Sequence, residues 1–396
     1  MTDYTRDIVD TPQPTAADSG NPYTVGSSPS LPAPAIEPIY NAGDAEPIPQ
    51  PGLFGGLLLT GAFPLSQVFI ALPVLLAVTA FVKAGDKAGK LTGMLVGSQG
   101  CVLLLALFAA AACAWIAKHR VFSMAPIRVL HLFAILGLVL PATMVSRAFY
   151  DVAFLGWSKI TAVLPALKFM DEMNTMSQMG DIVTNVQFPF MLFAMAIVPA
   201  IAEEIVFRGI IGRGLTARYG LVSGIVMTSI LFGMAHVHPA HAVSVIPLGI
   251  VMHVLYVATR SFWAPILFHF FNNAFAVFGA TMAFKSGQAI NMNDAPGLPW
   301  WVVLAGIGSV SAWFYLLSLT RTKLVTEDGT EWNPGYHSVE TPRHIKTHRK
   351  HPELPLGATL GTFVCAGMFF VALFAFAAVT GMENMNQEAM IQLLVR

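Results

Sequence analysis

The stretch NVQFPFMLFAMAIVPAIAEEIVF, residues 185–207, has the composition of a membrane span that ends in charge. It carries no charged residue before Glu203, and most of its residues are Phe, Met, Ile, Val or Ala. Glu203 and Glu204 then follow without a turn signal, and Arg208 comes directly after the stretch. Ionisable side chains within membrane spans are costly and usually functional. This stretch therefore predicts both the fold class and the location of a site.

The composition of the whole chain is typical of a membrane protein. Of its 396 residues 55% are hydrophobic and 11% are charged, and its mean hydropathy is +0.64; soluble domains carry about 25% charged residues. Lys and Arg number 22, as do Asp and Glu, so the formal charge of +0 predicts no nucleic-acid partner and no polybasic anchor. Cys101, Cys113 and Cys365 lie far apart, which disfavours a disulfide framework or a thiolate zinc site.

Long uncharged runs recur along the chain and predict its architecture. A transmembrane helix needs about 20 apolar residues. The candidate runs are 60–82, 91–117, 129–147, 185–207, 219–236, 242–259, 261–284, 300–320 and 357–381. We therefore predict an all-α, polytopic membrane bundle of about eight or nine transmembrane helices.

Polar segments flank these runs. Residues 1–50 are rich in Pro, Ser, Gly, Ala and Asp and should form a disordered tail, and no basic region directly precedes the first apolar run, which disfavours a signal peptide. Residues 51–184 should hold the N-terminal spans and, at 150–184, an interfacial helix or a lid. Residues 285–396 should hold the last spans and a basic polar loop, 321–353. Since cytoplasmic loops carry an excess of Lys and Arg, this loop and the N-terminus are expected in the cytoplasm.

Helical spacing indicates different functions for the two adjacent glutamates. Glu204 and Arg208 lie four residues apart and share a helix face, so the arginine can neutralise that carboxylate. Glu203 is rotated by about 100° and lacks this local partner. Glu203 is therefore the carboxylate that is expected to be chemically available.

A helical hairpin would bring further polar groups to Glu203. If the chain turns near Tyr219–Gly220, Glu203 and His236 lie equally far from the turn and reach similar depth on antiparallel helices. His269 and Asn273, four residues apart in the run 261–284, would approach from a third helix. A carboxylate, two imidazoles and an amide that converge away from lipid form a candidate site for activating water.

These residues fall into three ordered motifs. EEIVFR (203–208) fits EExxxR, FGMAH (232–236) fits FxxxH, and HFFNN (269–273) fits HxxxN. With these motifs the chain resembles the CPBP family of intramembrane proteases, which includes the type II CAAX prenyl endopeptidases and the Abi proteins. The resemblance covers residues 185–284, about a quarter of the chain, as a CAAX-protease-like catalytic core. The ordered triple is far more specific than EExxxR alone.

The resemblance implies a role for each motif residue. Glu203 would be the general base that deprotonates the attacking water, and His236 would hold the same water. His269 and Asn273 would stabilise the oxyanion of the tetrahedral intermediate.

Supporting roles and a metal follow from the same resemblance. Glu204 paired with Arg208 would organise the helix end, and Phe232 would pack beside the site. A carboxylate with two histidines is also a zinc set, here Glu203, His236 and His269. No HExxH motif occurs and these donors are dispersed over three helices, so a Zn²⁺-dependent and a metal-free glutamate mechanism stay open as alternatives.

Structural interpretations compete with these roles. The glutamates and Arg208 alone would suit a buried structural ion pair, His236 a span cap, and His269 with Asn273 hydrogen bonding between helices. The ordered triple disfavours all of these holding together. The histidines outside the motifs are expected to be structural or interfacial: His131, His238, His241 and His253.

The predicted function is an intramembrane endopeptidase that hydrolyses a membrane protein or a lipidated peptide within the bilayer, in the plasma membrane if the chain is bacterial. One alternative is a proton- or cation-coupled transporter that uses Glu203, His236 and His269. Another is a non-catalytic immunity or scaffold protein of the same fold. No GxSG serine motif or GxGD aspartyl motif occurs, which disfavours the other intramembrane protease classes.

Overall fold

A computed structural model describes residues 51–67, 69, 72–83, 85–117, 126–287, 297–331 and 346–394 of the chain. The segment 1–50, predicted to be a disordered tail, lies outside these residues.

The described residues form a helical bundle, as the apolar runs predict. The helices are α1 (Leu53–Ser66), α2 (Leu72–Phe81), α3 (Lys87–Ala117), α4 (Val129–Val163), α5 (Thr175–Asn185), α6 (Phe188–Leu192), α7 (Val198–Glu204), α8 (Gly212–Tyr219), α9 (Leu221–Met234), α10 (Pro239–Thr259), α11 (Trp263–Lys285), α12 (Trp300–Thr320) and α13 (Leu356–Leu394). A 3₁₀ helix, Pro165–Met173, follows α4 within the predicted interfacial segment. Two short strands, β1 (Lys323–Thr326) and β2 (Thr347–Lys350), pair antiparallel beyond α12.

Within the described residues, seven helices are long and apolar enough to cross a membrane. They are Lys87–Ala112, Val129–Val163, Phe188–Tyr219, Pro239–Thr259, Trp263–Lys285, Trp300–Thr320 and Leu356–Thr380. Among the described residues, the count is therefore slightly lower than the predicted eight or nine. The run 60–82 is divided between α1 and α2, and the run 219–236 forms only the 14-residue α9.

The span with the paired glutamates is longer than the sequence indicated. An end at residue 207 was predicted because charge follows, but the helix continues from Phe188 to Tyr219, a length of 32 residues. Glu204 and Arg208 are fully buried and bonded to each other, so their charges do not end the span. The carboxylates consequently lie near the middle of a helix rather than at its end.

Two π-helical turns interrupt this long span. They cover Phe193–Ile197 and Ile205–Ile211 and enclose α7, which ends with the two glutamates. Such turns are rare and occur frequently at functional sites. They change the angular position of every side chain that follows, and the i, i+4 spacing rule used on the sequence does not account for this change.

Close helix contacts fix the hairpin between α8 and α9. Gly220 has φ of 81° at the predicted turn, a backbone conformation that glycine adopts without strain. A Cβ atom at Gly224 would lie 2.5 Å from the backbone of Thr216, so α9 packs directly against α8. At the other end of α9, a Cβ atom at Gly233 would lie 2.5 Å from the carbonyl oxygen of Ala242 on α10. These contacts position the FxxxH motif against its neighbours.

Candidate active site

A buried ion pair forms the base of the site. Arg208 Nη1 donates to Glu204 Oε1 at 2.8 Å, and both side chains are 0% exposed. Arg208 Nη2 donates to the carbonyl oxygen of Gly249 on α10 at 3.0 Å. The guanidinium carbon lies 4.6 Å from the ring centroid of Phe232, close enough for a cation–π contact. The structure thus forms the ion pair that the spacing indicated and ties it to α10.

His269 lies between the two glutamates. Its Nδ1 is 3.0 Å from Glu204 Oε1, and its Nε2 is 3.9 Å from Glu203 Oε2. Since an ionised carboxylate only accepts hydrogen bonds, Nδ1 carries the proton and donates to Glu204. The longer distance exceeds that of a direct hydrogen bond. Glu204 therefore orients the ring so that Nε2 faces Glu203.

The contact between Glu204 and His269 was not predicted from the sequence. The EExxxR spacing assigns Glu204 to Arg208 alone, whereas its Oε1 atom accepts from both Arg208 and His269. His269 is 65 residues away, so no local pattern could have indicated this contact.

Glu203 has the environment expected of a chemically available carboxylate. Its side chain is 17% exposed, whereas that of Glu204 is 0% exposed. Its Oε2 atom is buried and accepts no hydrogen bond from the described residues. A buried acceptor without a protein partner requires an explanation, and a catalytic role is one that fits a carboxylate.

His236 lies two residues beyond the end of α9 and is oriented by the last turn of that helix. Its Nδ1 is 3.0 Å from the carbonyl oxygen of Phe232, one turn earlier. A carbonyl oxygen only accepts, so Nδ1 carries the proton and the Nε2 atom of the neutral ring keeps its lone pair. This nitrogen is able to accept a hydrogen bond from water.

The Phe232 ring connects the parts of the site. Its centroid is 5.0 Å from that of His236 and 6.0 Å from that of His269. The ring of Phe207, in the second π-helical turn, packs edge-on against it at 5.2 Å. Phe232 was predicted to pack beside the site, and it contacts both imidazoles and Arg208 there. Arg208, His236 and His269, one residue from each motif, thus contact the same aromatic ring.

Asn273 links α11 to the first π-helical turn. Its Nδ2 donates to the carbonyl oxygen of Met195 at 3.0 Å, and its Oδ1 accepts from Asn272 Nδ2 at 3.2 Å. Asn272 Oδ1 in turn accepts from Thr143 on α4 at 2.9 Å. These contacts hold helices together, as the structural interpretation expected. An amide nitrogen carries two N–H donors, so the oxyanion role stays a prediction.

Two of the histidines outside the motifs are buried against other parts of the molecule. His131 is buried, and its Nε2 is 3.1 Å from the carbonyl oxygen of Thr320, which connects α4 to α12. His253 is buried against Gly212, where a Cβ atom would lie 2.6 Å from the imidazole. His241, by contrast, packs edge-on against His236 with ring centroids 4.6 Å apart. It was missed as a neighbour of the site because it belongs to no motif.

The zinc set that the resemblance implies does not fit the arrangement of the side chains. Throughout the part of the chain that the structure describes, no group of three His, Cys, Asp or Glu residues is spaced to hold a metal ion. Nδ1 of His269 donates to Glu204, and the Nε2 atom that faces Glu203 lies 3.9 Å from Glu203 Oε2. Zinc requires ligand distances of about 2.0–2.2 Å to nitrogen and oxygen. The zinc set Glu203, His236 and His269 therefore stays a prediction.

Comparison with known proteins supports the motif assignment. Residues 185–275 match the family model described as "Type II CAAX prenyl endopeptidase Rce1-like". The matched segment contains all three motifs, so the resemblance to this group is confirmed there. The match and the apolar helices together identify an integral membrane protein.

A curated relative matches a segment of similar length. The chain is 33% identical over 89 residues to the "Putative membrane peptidase YdiL" of Bacillus subtilis (strain 168). The alignment covers 22% of this chain and 36% of the relative, so it spans little more than a third of that protein. No solved structure matches the chain at a significant level.

Proposed function

We propose that this chain is an intramembrane peptidase in which Glu203 activates water to hydrolyse a peptide bond of a membrane protein or a lipidated peptide. The observation that carries the proposal is the position of His269, which lies 3.0 Å from Glu204 Oε1 and 3.9 Å from Glu203 Oε2. One carboxylate is used to orient the ring, and the other is left facing it. The match to type II CAAX prenyl endopeptidases supports the reaction class.

The hydrolytic step starts at Glu203. The carboxylate takes a proton from water while the water oxygen bonds to the carbonyl carbon of the substrate, whose oxygen becomes an oxyanion. The lone pair of His236 Nε2 accepts the second O–H of the same water and fixes its orientation. Collapse of the intermediate breaks the carbon–nitrogen bond, and Glu203 returns its proton to the leaving amine.

His269 stabilises the oxyanion only when its ring is charged. Glu204 already accepts from Nδ1, so a donor at Nε2 requires the imidazolium form. The two glutamates supply negative charge on either side of that form. A single oriented donor of this kind contributes about 3–4 kcal/mol to transition-state stabilisation. The second N–H of Asn273 is the other donor in this proposal.

The test is a comparison of Glu203→Gln with the wild type and with Glu331→Gln. The control also loses one carboxylate, but its site lies beyond α12, in contact with Arg321. Purified proteins in nanodiscs are given a fluorogenic peptide that ends in a farnesylated CAAX sequence, and labelled N-termini are compared in membranes from cells that express each variant. We expect Glu203→Gln to lose at least about 10³-fold in kcat, since general base and water orientation act together. Cleavage by folded Glu203→Gln at the wild-type rate would refute the mechanism.

The two mechanistic alternatives are separated by chelation. In the metal-free mechanism, cleavage persists in 1,10-phenanthroline. Loss of cleavage that added Zn²⁺ restores would support the set Glu203, His236 and His269 instead. Proton flux into liposomes without cleavage of any peptide would favour the transporter.

The proposal includes an orientation. The N-terminus and the loop 321–353 lie in the cytoplasm, and the chain resides in the plasma membrane if it is bacterial. The excess of Lys and Arg in that loop supports this orientation. Proteolysis of the loop in inverted vesicles, with protection in right-side-out vesicles, is the expected result.

A further inference from the structure

A strained turn follows His236. Val237 has φ of 61°, a left-handed conformation that is a genuine outlier for a β-branched residue. The backbone N–H of His238 donates to the carbonyl oxygen of His236 at 2.6 Å. A hydrogen bond between residues i and i+2 across a positive φ defines the rare and strained form of the γ-turn. The turn directly joins the site histidine to the start of α10.

A contact with a distant segment holds the other side of this turn. His238 is fully buried, and its Nε2 is 3.3 Å from Asp171 Oδ1 in the 3₁₀ helix Pro165–Met173. The same oxygen accepts from Trp157 Nε1 at 2.7 Å. The rings of Trp157 and His238 pack edge-to-face with centroids 5.6 Å apart. Asp171 therefore binds His238 and Trp157 at once and fixes the residue after the strained one.

We propose that Asp171 and His238 are positioning residues for His236. A strained backbone persists only when surrounding contacts over-determine it. Here the bond between Phe232 and His236 fixes one side of the turn, and the bond between Asp171 and His238 fixes the other. Together they hold the imidazole of His236 toward the site. This inference rests on the proposed function, because it assigns the turn to the orientation of the water-binding histidine.

The 3₁₀ helix acquires a function through this contact. The segment was predicted to be an interfacial helix or a lid, and its Asp171 connects it to the chain two residues after His236. Displacement of the segment would free His238 and allow Val237 to relax. The orientation of His236 is thus coupled to the seating of a segment that belongs to none of the three motifs.

Variants at two positions separate positioning from a merely structural role. Asp171→Ala removes the acceptor of His238. We expect kcat for the farnesylated peptide to fall about tenfold and KM to change by less than about twofold. The reason is that no contact then compensates for the strain at Val237, so the turn relaxes and His236 loses its orientation. Asp171→Asn keeps an acceptor oxygen and should retain most of the activity. Val237→Gly removes the strain, since glycine adopts positive φ freely, and should restore kcat in the Asp171→Ala background.

The matched control is Asp181→Ala. Asp181 also accepts a bond from a distant residue, Lys87 at 2.7 Å, but it lies on α5 with an exposed side chain. This variant should leave kcat unchanged.

Hydrogen exchange tests the turn without reference to cleavage. In Asp171→Ala, the amides of residues 236–240 should exchange about tenfold faster than in the wild type, and Val237→Gly should restore most of the protection. Unchanged exchange and unchanged kcat in Asp171→Ala, or no rescue by Val237→Gly, would overturn the positioning role. Activity of Glu203→Gln is the separate result that would overturn the proposed function, so the two failures are distinguishable.

Discussion

Two arginine–carboxylate pairs in this molecule both lie at hydrogen-bonding distance, but their surroundings differ. Arg208 binds Glu204 at 2.8 Å with both side chains 0% exposed, whereas Arg321 binds Glu331 at 2.5 Å with side chains 28% and 25% exposed. Water can replace a partner at the second pair but not at the first. Breaking a buried pair leaves an uncompensated charge, while an exposed pair contributes little. The distance within an ion pair therefore says less about its importance than its burial does.

The pairing of Arg321 with Glu331, beyond α12, also affects the pKa of Glu331. Partial burial raises the pKa of Glu331, but hydrogen bonding to Arg321 and the charge of Arg321, followed by those of Lys323, outweigh it and lower that pKa. A carboxylate whose pKa is lower in the folded state stabilises the fold above its unfolded pKa, and this contribution is lost as pH falls through the folded value.

The largest effect is expected at the buried pair. Arg208→Leu leaves the Glu204 carboxylate without its cation and the carbonyl of Gly249 without its donor, so the free energy of unfolding should fall by about 3–5 kcal/mol. Thermal unfolding in detergent measures the change. The double variant Glu204→Leu/Arg208→Leu should be more stable than Arg208→Leu alone. A double variant less stable than Arg208→Leu would show that the unpaired charge of Glu204 does not cause the loss of stability in the single variant.

An intermediate effect is expected at the packing beside the cluster. Gly233→Ala would place a Cβ atom 2.5 Å from the carbonyl oxygen of Ala242, which should cost about 1–3 kcal/mol by overpacking. Gly279→Ala on α11 is the matched control, because a Cβ atom there meets nothing within 4 Å. The same substitution should be neutral or stabilising at that helical position, by up to about 1 kcal/mol. Equal melting temperatures for the two variants would contradict this packing argument.

The smallest effect is expected at the exposed pair. Glu331→Gln should change the free energy of unfolding by less than about 1 kcal/mol at neutral pH. Because the pKa of Glu331 is lowered, the difference between variant and wild type should shrink as pH falls below the ordinary range for glutamate. Melting curves at pH 7 and at acidic pH give this comparison. A difference that grows in acid would reverse the assigned sign.

The sequence predicted those features that local spacing or a single residue determines. Glu204 and Arg208 pair at the expected interval, and Gly220 turns the chain where the hairpin argument required it. The end of the span at residue 207 was wrong because Arg208, paired with Glu204, also donates to the carbonyl of Gly249 and is buried against α10, and this contact with a distant helix is a tertiary effect. The contacts of His269 with Glu204 and of His238 with Asp171 were not predicted for the same reason. The residues in these two contacts are 65 and 67 positions apart in the sequence.

The two π-helical turns make the length of the span Phe188–Tyr219 as important as its composition. Each residue of a regular helix advances by about 100°. A π-helical turn bonds residues i and i+5 and so holds one residue more than an α-helical turn, so deleting one residue from Ile205–Ile211 converts it to an α-helical turn and leaves Thr216 against Gly224. The angular position of Gly212–Tyr219 around the helix axis is therefore fixed by the π-helical turn before it and by the contact of Thr216 with Gly224. A one-residue deletion here should therefore be less damaging than a one-residue deletion from a regular α-helical turn of the same span, where it would rotate the following residues by about 100°.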